Sequence, residues 1–445
     1  MEEGGSEYGV RHFFKDSAMV KIFLTTVFSS SGYGIYYIII PFYVFDVIDK
    51  SDYYFLGIYF GIAFVVSTLL ILPSGIIADR FSRIFLIRIG SITSSIGGFI
   101  LLLASGRQEL LVASLLIATS YPLVVPGLSA IIADRTPVGY GKDLAYSIVY
   151  GSNLGFFAVG NVLLYVFQVF IGFDSEGLRF TILVFALFNL FAGIFAFSIR
   201  HKRPPNRNNV EDSLTGDVLK EDLFPRSIDN NSDDASGGIF RFLHRNMAWR
   251  VVLINLMLGF GAGFIVPFFP VFFEDRFGLK PGTIGLIFAA QQVFMALGNF
   301  CAPLFSRAIR RVPTMALTES AAIICALYLA FSYNLALAII AFIARGALMN
   351  VANPLMQSLM MDLVGENHRA TATSSLGLTF SAGNAPSTIM SGRIIDERNS
   401  YVPSFLMMCS IYSLVVMVVS SLNRTDKEVI EKNLTVKTVT SPEMM

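Results

Sequence analysis

Twelve apolar runs, each at least as long as the roughly 20 residues a helix needs to cross a hydrocarbon layer, leave this chain little choice of fold. They fall at about 20–45, 54–78, 84–104, 109–133, 144–171 and 179–199, then at about 249–273, 282–306, 313–332, 334–362, 370–395 and 402–422. Barrel strands would be about half as long and would alternate in polarity, so membrane-spanning helices are the only structure that fits. Composition agrees, because only 15% of the 445 residues are charged while 54% are apolar before glycine is counted. The mean hydropathy is +0.63. The prediction is an all-α membrane protein. A net charge of +1 gives no bulk attraction to nucleic acid. Cys301, Cys325 and Cys409 lie singly in apolar runs without metal-ligand spacing and read as small buried hydrophobes. The first eighteen residues lack the basic, apolar, small-residue order of a cleavable leader, so the first spanning helix is expected to act as its own insertion signal.

The runs divide into two sixes. Residues 1–19 form an N-terminus, 20–199 a first bundle, 200–248 a linker, 249–422 a second bundle and 423–445 a tail. The linker opens Arg-His-Lys-Arg-Pro-Pro and continues in Asn, Asp, Ser and Gly, the composition of a flexible segment. A short amphipathic helix is expected near Ile239–Arg245, before Trp249 anchors the seventh span at the interface. With the termini inside, the inner segments carry twenty-five Lys and Arg and the outer ones seven. That asymmetry predicts cytoplasmic termini and a cytoplasmic linker in a cell membrane.

The two halves repeat. Gly32 precedes Pro41 by nine residues and Asp46 by fourteen, and Gly261 stands at the same distances from Pro270 and Asp275. Pro126 and Asp134 are eight apart in the fourth run, as are Pro354 and Asp362 in the tenth. Aligning Gly75 with Pro303 sets Asp79 against Arg307 and Arg83 against Arg311. Three pairs in register predict two pseudo-symmetric six-helix bundles.

The second run ends abruptly in Pro73-Ser-Gly-Ile-Ile-Ala-Asp-Arg-Phe-Ser-Arg83. Glycine costs a helix about 1 kcal/mol relative to alanine, so Gly75 suggests another backbone pressed close. The pattern Gly75-x-x-x-Asp79-Arg80-x-x-Arg83 resembles the loop signature between the second and third helices of the major facilitator superfamily of secondary transporters. Ser82 stands where that family usually has glycine, and Ile84 where it often has a second basic residue. With the twelve runs and the repeat, the resemblance covers all but the tails and linker. It implies two six-helix bundles around a central cavity that opens alternately to each side. It also implies a gate in which Asp79, with Gly75, Arg80, Arg83 and Asp134 at the inner end of the fourth helix, works against the inner end of the eleventh. Independently, Thr371, Ser375 and Thr379 lie one turn apart there, a small surface suited to close contact with Gly75. Asp79 would face the positive N-terminal end of that helix.

Two signatures of the family's proton-driven drug antiporters are absent. The run Leu115 to Leu128 has no arginine, and Gly160-Asn161 stands in the fifth helix in place of Gly-Pro, with Gly383-Asn384 in the eleventh. Drive by a proton or other ion gradient therefore stays open, and no cofactor is expected. Helical angle groups Asn153, Asn161 and Gln168 within an arc of about 80°. Asn255, Gly259, Gly263 and Pro267 recur every four residues, and Gly346, Asn350, Asn353 and Gln357 form one stripe with Arg345 at its edge. Such stripes face protein or water, so each amide is a candidate for solute contact or for packing between helices. Gln291, Gln292, Ser29, Ser30 and Tyr37 are further candidates. Arg345 falls close to midplane, where an arginine costs about 2.5 to 3.5 kcal/mol on insertion scales. Its expected role is an anion contact on a solute, or a clamp on carbonyls and amides such as Asn350. Glu319 counts as a boundary residue, about two turns inside the ninth helix.

No phosphate loop and no His and Cys cluster points to an enzyme. The glycosylation patterns at Asn230 and Asn423 lie on the predicted cytoplasmic side. The favoured expectation is a monomeric carrier in the lipid bilayer that exports a small amphiphilic or drug-like solute. The alternatives are an importer of a small anion or metabolite, or a sensor or lipid-moving protein on the same fold.

Overall fold

The computed structural model describes residues 10–49, 51–80, 83–136, 140–199, 248–363 and 369–422. The linker, the tail, the first nine residues and the expected helix at Ile239–Arg245 lie outside them. The described residues are helical, with no strand. A short α1 (Val10–Lys15) precedes α2 (Ser17–Ile48), α3 (Tyr53–Arg80) and α4 (Arg83–Leu102). The fourth span is α5 (Arg107–Ala118) and α6 (Ser120–Arg135), followed by α7 (Tyr140–Phe170) and α8 (Ser175–Ser198). The seventh span is α9 (Ala248–Gly263) and α10 (Phe269–Phe277), with the 3-10 turn Val266–Phe268 between them. Then come α11 (Pro281–Ile309), α12 (Arg311–Phe331), α13 (Leu335–Leu363), α14 (Arg369–Arg398) and α15 (Val402–Ser421).

Eleven of these spans are long and apolar enough to cross a membrane. The eleventh span, α14, is long enough at 30 residues but is filled with Ala, Ser, Thr and Gly. Such a helix suits burial among other helices, because small residues let backbones approach. The fourth run departs from the expected single helix. It divides at Thr119, whose hydroxyl donates to the Leu116 carbonyl at 2.7 Å, with Thr93 Oγ1 also 2.7 Å from its oxygen.

Local chemistry sets the helix ends. Asp16 caps α2 by accepting from Ala18 N at 2.8 Å and also receives Arg135 Nη1 at 3.0 Å. Asp174 caps α8 through Gly177 N. At the other end of α8, Lys21 Nζ donates to Ser198 O at 2.7 Å and Arg88 Nη2 to Phe197 O at 2.9 Å, placing cations on carbonyls that lack helical partners.

Packing follows the repeat. In the first bundle α2 lies against α7 and α8, and in the second α9 lies against α14 and α15. The bundles meet along two seams, α3 with α14 and α7 with α11. In span numbers these are second with eleventh and fifth with eighth, which exchange when the halves exchange. The α3–α14 seam is a glycine contact, because a Cβ on Gly392 would strike the Tyr53 carbonyl and one on Gly57 would come within 2.9 Å of Thr388 O. The same seam continues on the linker half, where a Cβ on Gly377 would come within 3.1 Å of Ile71 Cδ1; the end away from the linker is the far face.

Candidate functional site

The seventh span is broken a little beyond its middle. Gly259, Gly261 and Gly263 remove side chains, and Pro267 and Pro270 remove donors, so the α-helix cannot continue through the residues between. In hydrocarbon the carbonyls released by such a break must find partners. The Phe264 carbonyl accepts from Ser391 of α14, within the second bundle. The Val266 carbonyl accepts from Tyr37 Oη of α2 at 2.9 Å, across the gap between the bundles. A discontinuous helix whose carbonyls face the other repeat is the usual construction of a carrier's binding centre.

Tyr37 opens a chain of rings across that gap. Its ring lies 6.4 Å from Phe157 and 6.0 Å from Phe288, which lies 4.9 Å from Phe342. Phe342 in turn meets Phe269 at 4.8 Å, edge to face. Arg345 sits behind this wall. Its guanidinium carbon is 5.0 Å from the Phe269 centroid, Nη2 reaches Met408 Sδ at 3.5 Å, and the residue is 6% exposed.

The other candidates separate by role. Gln291 is buried and donates to the Phe342 carbonyl at 3.3 Å, joining α11 to α13. Asn255 donates to the Leu376 carbonyl and so ties α9 to α14. Asn350 donates to Gly346 O at 2.9 Å and receives Asn353 Nδ2 at 3.1 Å, while Asn353 and Gln357 are exposed on the linker half of α13. Asn153 is exposed and donates to Ser30 Oγ at 2.9 Å. Asn161 is fully buried at the α7–α11 seam, beside Gly285, with neither amide atom hydrogen bonded. The structure therefore brings Tyr37 to the helix break with Arg345 behind the adjoining ring, places Asn161 at a seam, ties Asn255 and Gln291 between helices of the second bundle, and leaves Asn153, Asn353 and Gln357 exposed on the linker half. Gly75, Asp79 and Arg80 lie in the last two turns of α3, Arg83 opens α4 and Asp134 lies one residue before the end of α6. Their side chains lie outside the description.

Several groups escaped the sequence reading. Gln168 was grouped with two asparagines, but its Oε1 accepts from Gly282 N at 3.0 Å and Thr283 N at 3.3 Å, capping α11 from the opposite bundle. Asp275 was matched by spacing to Asp46, yet it is held by Tyr53 and Tyr401 at the far face. The expectation for Glu319 is corrected. It is 1% exposed and lies within the second bundle, because α12 packs against both α13 and α15 over this stretch. The pair Gly261 and Gly263 ahead of Pro267 was the available signal for the break.

The profile of the major facilitator superfamily matches residues 22–388 and 251–434. The chain belongs to this superfamily. It is therefore a multi-pass solute transporter and not an enzyme. No curated protein matches the chain. Among solved structures, a mutant of the nucleoside transporter NupG is 13% identical with a TM-score of 0.72, covering 91% of this chain and 99% of that one. A bacterial homolog of the human lysosomal transporter Spinster, inward-facing and unoccupied, is 16% identical with a TM-score of 0.71, covering 96% and 99%. A POT family transporter in complex with a thioalcohol-conjugated peptide is 14% identical with a TM-score of 0.66, covering 92% and 96%. At these identities the likeness is one of fold.

Proposed function

We propose that this carrier exports small amphiphilic solutes from the cytoplasm by alternating access, as a monomer in the cell membrane with both termini and the linker inside. The observation that carries the reading is the uncharged aromatic wall at the helix break. Tyr37 donates to the Val266 carbonyl and its ring lies against Phe157 and Phe288, with Phe342 next in the chain of rings, and Arg345 is withdrawn behind Phe269. Such a wall offers rings for an apolar body and a hydroxyl and a carbonyl for a polar end. Among the described residues it offers no exposed cation for an anionic solute, which weighs against the importer of a small anion. Exposed Asn153, Asn353 and Gln357 on the linker half suit a carrier loading from the cytoplasmic side.

The test is a thermal-shift screen on purified protein, since a ligand that binds only the folded state at 100 times its Kd adds about 2.7 kcal/mol of apparent stability. Neutral and cationic amphiphiles are expected to raise Tm, and inverted vesicles are expected to accumulate them. Stabilisation confined to small organic anions, nucleosides or short peptides would replace export of amphiphiles with the importer.

A further inference from the structure

Away from the helix break, the linker end of the first bundle encloses a cavity of about 490 Å³. Four helices supply its walls: the first turns of α2 and α4 and the last residues of α6 and α8. Asp16 and Lys21 of α2, Arg88 of α4 and Arg135 of α6 line it, and Phe197 and Ser198 of α8 complete it. Three cations thus stand against one carboxylate. The volume is in the range of small-molecule pockets, and none of these residues belongs to the solute centre.

The cations are held in place with most of their donors unspent. The carbonyls at the end of α8 lack helical partners, so Ser198 O takes Lys21 Nζ at 2.7 Å, while Phe197 O and Ile199 O take Arg88 Nη2 at 2.9 and 3.2 Å. Both side chains are thereby fixed in direction. An ammonium has three donors and a guanidinium five, so these bonds leave capacity for a further acceptor. The Arg88 Nε is buried with no partner in the chain. Arg135 sets Nη1 at 3.0 Å from both oxygens of Asp16, and Asp16 Oδ1 also caps α2 at Ala18 N. The carboxylate is therefore taken up by one cation and one backbone donor. Lys21 and Arg88 make no ion pair with a described residue, and the half charge at the end of α8 offsets only part of their excess.

We infer that this cavity is a binding site for the phosphate of an anionic phospholipid in the leaflet at the linker face, with Lys21 and Arg88 as its donors and Asp16 as the group that limits its affinity. Phosphate oxygens suit a guanidinium fork and an ammonium point charge together. Basic pockets between the inner ends of transmembrane helices are where such headgroups lodge. Phe197 favours a lipid over a free anion. Its ring lines the cavity with its centroid 5.3 Å from the Arg88 guanidinium carbon, yet the residue is 48% exposed. Ile194 and Phe191 follow it at intervals of three residues along α8, and both are exposed. The cavity therefore opens onto an apolar stripe that an acyl chain can follow while its phosphate lies among the cations. A free phosphate makes no use of that stripe. The four helices are the first, third, fourth and sixth spans, all of the first bundle. A lipid bound there ties the linker-side ends of one bundle together and leaves the seams free to move. The inference depends neither on the solute nor on the direction of transport.

The experiment is native mass spectrometry of the full chain in neutral detergent, titrated with phosphatidylglycerol, with phosphatidylcholine and with inorganic phosphate. In the parent, phosphatidylglycerol is expected to fill one site roughly tenfold more tightly than phosphatidylcholine. Lys21→Gln and Arg88→Gln are each expected to weaken that site about fivefold, the share of one cation at an anionic headgroup, and to leave phosphatidylcholine binding unchanged. Asp16→Asn keeps an acceptor for the Ala18 amide and removes the one acid among the described lining residues. It is expected to tighten phosphatidylglycerol binding about fivefold, which tests the site by a gain even where loss of Lys21 or Arg88 lowers the yield of folded chain. Equal phosphatidylglycerol affinity in the parent, Lys21→Gln and Asp16→Asn overturns the proposal, as does a parent that binds the two lipids alike. Inorganic phosphate that displaces phosphatidylglycerol at equal concentration makes the cavity a free-anion site and overturns the lipid assignment.

Discussion

The Tyr53 hydroxyl donates to Asp275 Oδ2 at 2.6 Å across the mouth of the two bundles. Tyr401 donates to the same oxygen from within the second bundle, and the Tyr53 and Tyr401 rings meet edge to face at 6.1 Å. One carboxylate thus holds an α3 residue of the first half against the α14–α15 corner of the second. The bond is solvent-exposed, so its worth is about 1 kcal/mol and not the larger value of a buried charged pair. Tyr53→Phe is expected to raise the ratio of far-face-open to closed molecules about fivefold, corresponding to that energy. Distances between spin labels at Asp49→Cys and Lys280→Cys measure it. An unchanged distribution would mean that the bond does not contribute to closure.

At the opposite end, Asp79 lies in the last turn of α3, at the boundary the loop signature marks. Its carboxylate is expected to favour contact with the positive start of α14 and so to close the linker face. Asp79→Asn keeps the shape and removes the charge. The same label pair should then report fewer far-face-open molecules, opposite in sign to Tyr53→Phe, with Tm within a few degrees of the parent. Shifts of the same sign in both variants would reject one carboxylate gate at each end.

The excess of Lys and Arg on one set of loops predicts orientation. Single cysteines at Asp174, the exposed cap of α8, and at Asn230 in the linker should react with an impermeant thiol reagent from outside and inside respectively. Labelling in the reverse order would invert the topology and turn the proposed export into import.

Gln168 offers a local test of the second seam. Its Oε1 accepts two N–H groups at the start of α11, where Pro281 supplies no donor of its own. Gln168→Ala leaves both donors without that acceptor, and a helix-cap loss of this kind costs about 1 kcal/mol. Amide hydrogen exchange at Gly282 and Thr283 is expected to accelerate about fivefold, with little change in the core of α11. Unaltered exchange would show that water replaces the amide without loss.

The fold was legible because run length and polarity are set by the membrane and do not depend on neighbours. The repeat was legible too, since Gly32–Pro41–Asp46 and Gly261–Pro270–Asp275 keep their spacing. Equivalent positions nevertheless took different partners. Asp46 receives Ser175 at 2.6 Å inside its own bundle, whereas Asp275 reaches across to Tyr53. The break in the seventh span was written in its glycines and prolines, but a break is stable only when Tyr37 and Ser391 are placed to satisfy the carbonyls. That is a tertiary fact. Depth along a helix can be counted, while direction around it depends on packing. For this reason counting sets Arg345 well inside its helix without showing that it lies behind Phe269, and sets Glu319 two turns inside its helix without showing that α13 and α15 bury it.

Arg345 is where stability and function should part. A buried cation with an unpartnered Nε is costly, and replacing such a group by an apolar one of similar size is often neutral or stabilising. Methionine can lie on Phe269 and beside Met408, as the arginine stem now does, although the cation–π contact of about 0.5 to 2 kcal/mol is lost. Arg345→Met is therefore expected to hold Tm within a few degrees of the parent, or raise it, while slowing transport of any stabilising amphiphile at least tenfold. Arg345→Lys keeps the charge without the planar fork and should retain intermediate transport. Neither change should weaken binding of a neutral amphiphile more than about threefold, because the guanidinium lies behind the aromatic wall and an interaction shared through packing is worth less than about 0.7 kcal/mol. Thermal shifts with and without solute, and flux in proteoliposomes, separate the cases. A large fall in Tm for Arg345→Met would make the residue a structural clamp. A large loss of solute affinity at normal Tm would make it a solute contact, and parental flux in Arg345→Met would remove it from the transport cycle.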